Sequence, residues 1–112
     1  MTPQINLVAA RETLLEMLDE VRDKLGSPIK INSGYRTEEH NAKVGGKPKT
    51  ETSKGSSHMY GLAADLSCTN STDRYNLIFL LQETGFQRIG VGSTFIHVDI
   101  DFDKAQSVMW TY

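Results

Sequence analysis

Leu7, Leu14, Leu18, Val21 and Leu25 recur at helical spacing, with Arg11, Glu12, Glu16, Asp19, Glu20 and Lys24 between them. This pattern predicts an amphipathic helix from about Leu7 to Leu25 that lays one apolar stripe on a core. Asn6 is placed to cap its start, and Gly26 followed by Pro28 to end it. Ile29-Lys30-Ile31 alternates and reads as a short strand running into Ser33-Gly34-Tyr35-Arg36. The polar segment from Thr37 to Val44 suits a short helix. Gly45-Gly46 then opens a loop rich in Lys, Thr, Ser and Gly that runs to Ser57. Without an apolar anchor, this loop is expected to be the most mobile part of the chain.

The second half is more regular. Leu62-Ala63-Ala64-Asp65-Leu66-Ser67 reads as a strand with Leu62, Ala64 and Leu66 on one face and Ala63 and Asp65 on the other. A second helix, capped by Ser71, Thr72 or Asp73, runs through Leu77, Ile78, Leu80 and Leu81 and stops at Gly85. Phe86 to Val91 and Thr94 to Ile100 flank Gly92-Ser93 as a hairpin, and glycine at the first turn position suits a type II′ loop. The aromatic tail Trp110-Thr111-Tyr112 is expected to pack on the domain. With no internal repeat, residues 1–112 read as one domain.

Composition narrows the possible functions. The 112 residues carry a formal net charge of −2 and no basic cluster interleaved with aromatics. Neither nucleic acid nor an anionic membrane surface is an expected partner. Leu77–Leu81 is the longest apolar run, too short for membrane insertion. The N-terminus, Met-Thr-Pro-Gln-Ile-Asn, has no signal-peptide pattern, so synthesis in the cytoplasm is expected, with delivery by another agent if the target lies outside. The lone Cys68 excludes an intrachain disulfide and reads as a small core residue rather than a nucleophile.

Candidate chemistry comes from strand alternation. Ile96, Val98 and Ile100 belong to the core face, which puts Phe95, His97, Asp99 and Asp101 on the other. His97 and Asp99 therefore point the same way. Asp65 sits on the less apolar face of its own strand, beside small Ala63. His58 precedes Asp65 by seven residues with Gly61 between, and glycine lets the chain turn so that His58 returns over Asp65. A His-Asp pair at this spacing is weak evidence alone. Adding His97 makes two imidazoles and a carboxylate, a hydrolytic zinc shell with its fourth position left for water.

The ordered set Ser33-Gly34-Tyr35-Arg36, His40-Asn41, Val44-Gly45-Gly46, Ser56-x-His58-x-x-Gly61-x-Ala63-x-Asp65, Gly90-Val91-Gly92 and Phe95-Ile96-His97-Val98-Asp99 resembles the zinc D-alanyl-D-alanine carboxypeptidase family. That family includes phage endolysins and murein endopeptidases and shares its fold with the hedgehog signalling domain. The resemblance covers about Ile29 to Tyr112. It implies an α+β fold, a small antiparallel sheet with helices on one face and a zinc site on the other. It implies that His58, Asp65 and His97 bind Zn²⁺, that Arg36 polarises the scissile carbonyl or stabilises its oxyanion, and that Ser56 contacts the peptide. Asp99 is the candidate for accepting the proton of water, or else the partner that orients His97. Some relatives carry a His-x-His pair or an acidic residue three positions before the last ligand; in this chain Thr94 holds that earlier position.

Asp101 is a weaker candidate for the proton acceptor and reads first as a solvated strand-end carboxylate, and His40 reads as a surface residue. Lys47 to Gly55 is longer than the resemblance leads one to expect and reads as a lid, a wall-contacting loop or an inert insertion. The implied function is a monomeric zinc metallopeptidase, a D-alanyl-D-alanine carboxypeptidase or murein endopeptidase. It would cut peptidoglycan stem peptides or cross-links at a bond next to a D-amino acid, reaching the wall by phage- or holin-type release. The alternative is a zinc-containing wall-binding or structural virion module without turnover.

Overall fold

A hydrophobic stripe along the first helix and the apolar faces of three strands meet in one core. The computed structural model describes residues 7–50 and 55–112. Helix α1 spans Leu7–Leu25 and buries Ala10, Leu14, Leu18 and Val21, the stripe its periodicity predicts. Its end falls at Gly26, whose φ of +75° suits glycine and whose N–H donates to Arg22 O at 3.0 Å. The expected cap, Asn6, lies outside the described residues. Strand β1 (Ile31–Ser33) is followed by α2 (Glu38–Lys43), a 3₁₀ turn (Ser57–Tyr60) and β2 (Ala63–Ser67). Then come α3 (Ser71–Thr84), β3 (Arg88–Val91), β4 (Phe95–Asp99) and β5 (Val108–Thr111).

Among the described residues these strands form one sheet in the order β1-β2-β4-β3-β5. Ala64 and Leu66 of β2, Ile89 of β3, and Ile96 and Val98 of β4 face Leu14, Leu18 and Val21 of α1 and Leu77 and Leu81 of α3. Both long helices therefore cover one face, as expected. The opposite face carries Asp65, His97 and Asp99. The short α2 and the 3₁₀ turn flank it, so not every helical turn lies on the core side. No described helix is long and apolar enough to cross a membrane.

Several expectations shift. The sheet is mixed rather than antiparallel: β5 runs parallel to β3, with Arg88 opposite Val108 and Gly90 opposite Trp110. A parallel neighbour needs a connection that crosses the end of the sheet, here the segment after Asp99. Nothing in the alternation of a short tail encodes that crossing. Strand β1 starts at Ile31, two residues later than expected; Ile29 packs against the core, and Lys30 O receives Ser67 N–H at 2.8 Å. Asn70, not Ser71, Thr72 or Asp73, caps α3; its side-chain oxygen accepts from Asp73 N–H at 2.9 Å. The hairpin loop is not type II′, because Gly92 does not take the positive φ required there. Instead the Phe95 ring occupies the space a Cβ at position 92 would need.

Candidate metal centre

The centre is assembled from three segments, two paired strands and a 3₁₀ turn. Strands β2 and β4 pair with Asp65 opposite His97, so both side chains rise from the same face. The 3₁₀ turn delivers the third group. Ser56 caps it, its Oγ accepting from His58 N–H at 3.2 Å, and Gly61 ends it in the left-handed region at φ 70°. This is the reversal that the intervening glycine suggests, and it lays His58 back over Asp65.

His58 Nε2 lies 3.3 Å and His97 Nδ1 2.9 Å from Asp65 Oδ1. All three donor atoms fall within 4.8 Å of one another. Two ligands held about 2.0–2.1 Å from a tetrahedral zinc would lie about 3.3 Å apart, so the set fits a metal of that kind.

The outer nitrogens strengthen the fit. His58 Nδ1 donates to Gly34 O at 2.7 Å, and a carbonyl can only accept. His97 Nε2 donates to Asp99 Oδ2 at 2.7 Å. Each imidazole directs one N–H outward, so that in the neutral form the inner nitrogen is left for a cation, the pattern typical of metal-binding histidines, and without a cation that nitrogen can carry a proton towards Asp65. Both rings are buried, His58 at 3% and His97 at 8% exposure.

Charge follows from this geometry. Burial by itself raises the Asp65 carboxyl, but bonds from His58 and His97 outweigh it and hold the group well below the usual carboxylate range. Burial likewise lowers His97, yet its bonds to Asp65 and Asp99 prevail and raise it above an ordinary histidine. The three groups behave as a unit that keeps one strong anion among nitrogen donors.

Asp99 is engaged on every side. Its Oδ2 takes the His97 hydrogen, while Oδ1 accepts from Arg88 Nε at 2.7 Å and from Asp101 N–H at 3.1 Å. It is only 1% exposed.

Arg36 reaches the centre from the loop after β1. Its Nη2 is 3.4 Å from Asp65 Oδ2, Nη1 donates to Asn41 Oδ1 at 3.3 Å, and Nε donates to Ser33 Oγ at 3.1 Å. Asn41, 1% exposed, is held in turn by its own Nδ2 donating to Lys47 O at 2.9 Å. A Cβ at Gly46 would collide with the Asn41 side chain and stand 3.0 Å from Arg36 Nη1. Asn41 and Gly46, one residue from each of two motifs, therefore serve one guanidinium, while His40 stays exposed.

Asp101 departs from its expected role. It is fully buried rather than solvated, with Ser57 Oγ donating to its Oδ2 at 2.8 Å. Lys104 Nζ donates to Ser57 Oγ at 2.8 Å and to Gly55 O at 3.0 Å. This network anchors the turn that carries His58. Of the Lys47 to Gly55 loop, residues 51–54 lie outside the described set. Cys68 packs in the hydrophobic core, where burial pushes its thiol up.

His58, Asp65 and His97, with Arg36 and Asp99, line a cleft of about 470 Å³ that also includes Ser56, Phe95, Trp110 and Tyr112. Sequence reasoning missed Arg88, Lys104, Trp110 and Tyr112 as lining residues. Strand alternation carried a signal for Arg88 and Trp110 only once the sheet order was known.

The fold and the cleft together define an α+β protein whose sheet presents a two-histidine, one-carboxylate centre able to hold a metal. The chain belongs to the Peptidase M15 family, whose model matches residues 3–100. At the level of that family it is a zinc metallopeptidase acting on peptidoglycan, and its substrate is a peptide. None of the curated proteins compared with it matches.

Proposed function

We propose that this protein hydrolyses peptidoglycan stem peptides or cross-links at a bond next to a D-amino acid, with His58, Asp65 and His97 holding Zn²⁺. The observation that carries the reading is the convergence of three donors whose outer hydrogens are already committed, at the base of a cleft that also presents Arg36. A bound zinc supplies a Lewis acid and brings the pKa of water towards neutrality.

The chain's own residues do the rest. Arg36, fixed by Ser33, Asn41 and Asp65, keeps a cation beside the position of the scissile carbonyl, where it stabilises the negative charge that develops on oxygen. Ser56 stands at the cleft wall next to His58, placed to contact the peptide while capping the turn. Two roles are open to Asp99, proton acceptor or orienting partner of His97. Its burial and the full engagement of both oxygens support the orienting role, in which it fixes the tautomer of His97.

A closed structural zinc shell fits less well. It needs a fourth protein ligand, and of the two at hand Cys68 lies in the core and Asp99 is bonded to Arg88 and the outer nitrogen of His97. The test is direct. Purified protein is expected to carry about one zinc per chain by mass spectrometry and to release new muropeptides from murein. His58→Ala and Asp65→Ala should lose both. Metal-free protein with no new products would remove the reading, while the products themselves distinguish a carboxypeptidase from an endopeptidase.

A further inference from the structure

The row of residues crossing the site face continues past the metal donors. In register it runs Asp65, His97, Gly90, Trp110 across β2, β4, β3 and β5. Residues aligned in this way share a face. Gly90 contributes no side chain, and the Trp110 indole covers its place: a Cβ there would stand 2.7 Å from ring atoms Cε2 and Nε1. Lying across Gly90, the indole reaches His97, with ring centroids 5.5 Å apart. The Arg88 guanidinium sits 5.1 Å from the same ring while bonded to Asp99. Trp110 is thus clamped by the residues that orient His97.

Tyr112 and Phe95 extend the surface, at 6.5 Å from Trp110 and 5.0 Å from Tyr112 respectively. All three line the cleft, and Tyr112 is 71% exposed. The opposite wall is polar, with Arg36, Ser56 and Lys47. Both Trp110 and Tyr112 lie beyond residue 100, where the family match ends.

We propose that Trp110, supported by Tyr112, is a specificity-determining wall that receives the aliphatic side chain of the residue flanking the scissile bond. The inference rests on the peptidase reading. Its ground is continuity: the aromatic surface begins at a metal donor and runs along the cleft. Backbone atoms of a substrate meet the polar wall, and an alanine-sized methyl group is sheltered by the indole. Because the ring lies over Gly90 and against His97, space beside it suits a small aliphatic group and disfavours a charged one.

The chain contains a single tryptophan, so its emission reports this wall alone. Titrating zinc-loaded protein with a soluble stem pentapeptide ending in D-alanine should shift that emission saturably. Trp110→Ala should raise KM about tenfold, with zinc content and melting temperature near those of the parent, and should weaken discrimination against a lysine or glutamate side chain at the same substrate position. Trp110→Phe should recover much of the loss. Gly90→Ala, which displaces the indole without deleting it, provides a second route to the same KM change if Trp110→Ala folds poorly.

Cleavage with unmoved emission and unchanged KM in these variants overturns the wall and leaves the peptidase reading intact. A saturable emission shift without cleavage supports the wall as a peptide surface and removes the peptidase reading. Absence of both overturns both.

Discussion

Asp99→Asn separates the two roles open to this carboxylate. The native side chain accepts from three donors: Arg88 Nε and Asp101 N–H on Oδ1, and His97 Nε2 on Oδ2. An asparagine has one acceptor oxygen and one donor amide. Arg88 and Asp101 together claim the oxygen, which turns the amide N–H₂ towards His97. The imidazole Nε2 must then accept, and the ring hydrogen moves to Nδ1, the atom that faces Asp65 and the metal position. Loss of such an orienting partner lowers metal affinity about 10–100-fold, which is about 1.4–2.7 kcal/mol. Removing the charge opposite Arg88 costs the fold about 1–3 kcal/mol as well, so affinity should be read well below the melting transition of the variant. A competition titration against a zinc chelator, with circular dichroism as control, gives the answer. Zinc affinity equal to that of the parent combined with lost turnover would refute the tautomer reasoning and make Asp99 the proton acceptor.

The remaining expectations concern charge and space around the same cleft. Arg36→Ala should retain zinc yet lower kcat about 10²–10³-fold, the scale of losing one preorganised donor to a developing oxyanion; unchanged kcat would place Arg36 outside the chemistry. Gly46→Ala should give a weaker version of that loss, because its Cβ meets Asn41 and Arg36 rather than any metal donor. Zinc binding should weaken as pH falls, since the metal must displace the proton on His97, whose pKa is raised above 6.5. In the metal-free protein, the stability linked to His97 is fully present below about pH 6.5 and fades as pH rises through its folded value. The part linked to Asp65 is present above about pH 4 and is lost as pH falls towards its lowered value. Calorimetry in two buffers of different ionisation enthalpy, repeated as pH is lowered, should therefore detect growing proton release on zinc binding; equal heats at every pH would contradict the raised pKa of His97.

Local pattern was enough for elements whose geometry is periodic. The α1 stripe is buried as its spacing requires, because a helix of 3.6 residues per turn aligns Leu14, Leu18 and Val21 whatever it packs against. Alternation alone placed Ile96 and Val98 in the core and His97 and Asp99 outside it. Gly61 was legible for a similar reason, since its position demands a backbone that few other residues adopt. Motif order then suggested that His58, Asp65 and His97 belong together.

Tertiary structure decided whatever depends on non-local pairing. Asp101 looks like a strand-end carboxylate until Ser57 and Lys104, 44 residues before it in one case and three after it in the other, close around it. The environment of Asp99 depends on Arg88 from a neighbouring strand and on the indole beyond it. The cleft's aromatic wall exists because β5 crosses over to pair parallel with β3, bringing Trp110 into register with Gly90 and so against His97. Sequence by itself determined which residues can be donors and which faces they occupy, because backbone periodicity is local. Which neighbours orient those donors, and what walls the space above them, follows from strand order, a property of the assembled sheet that no single segment carries.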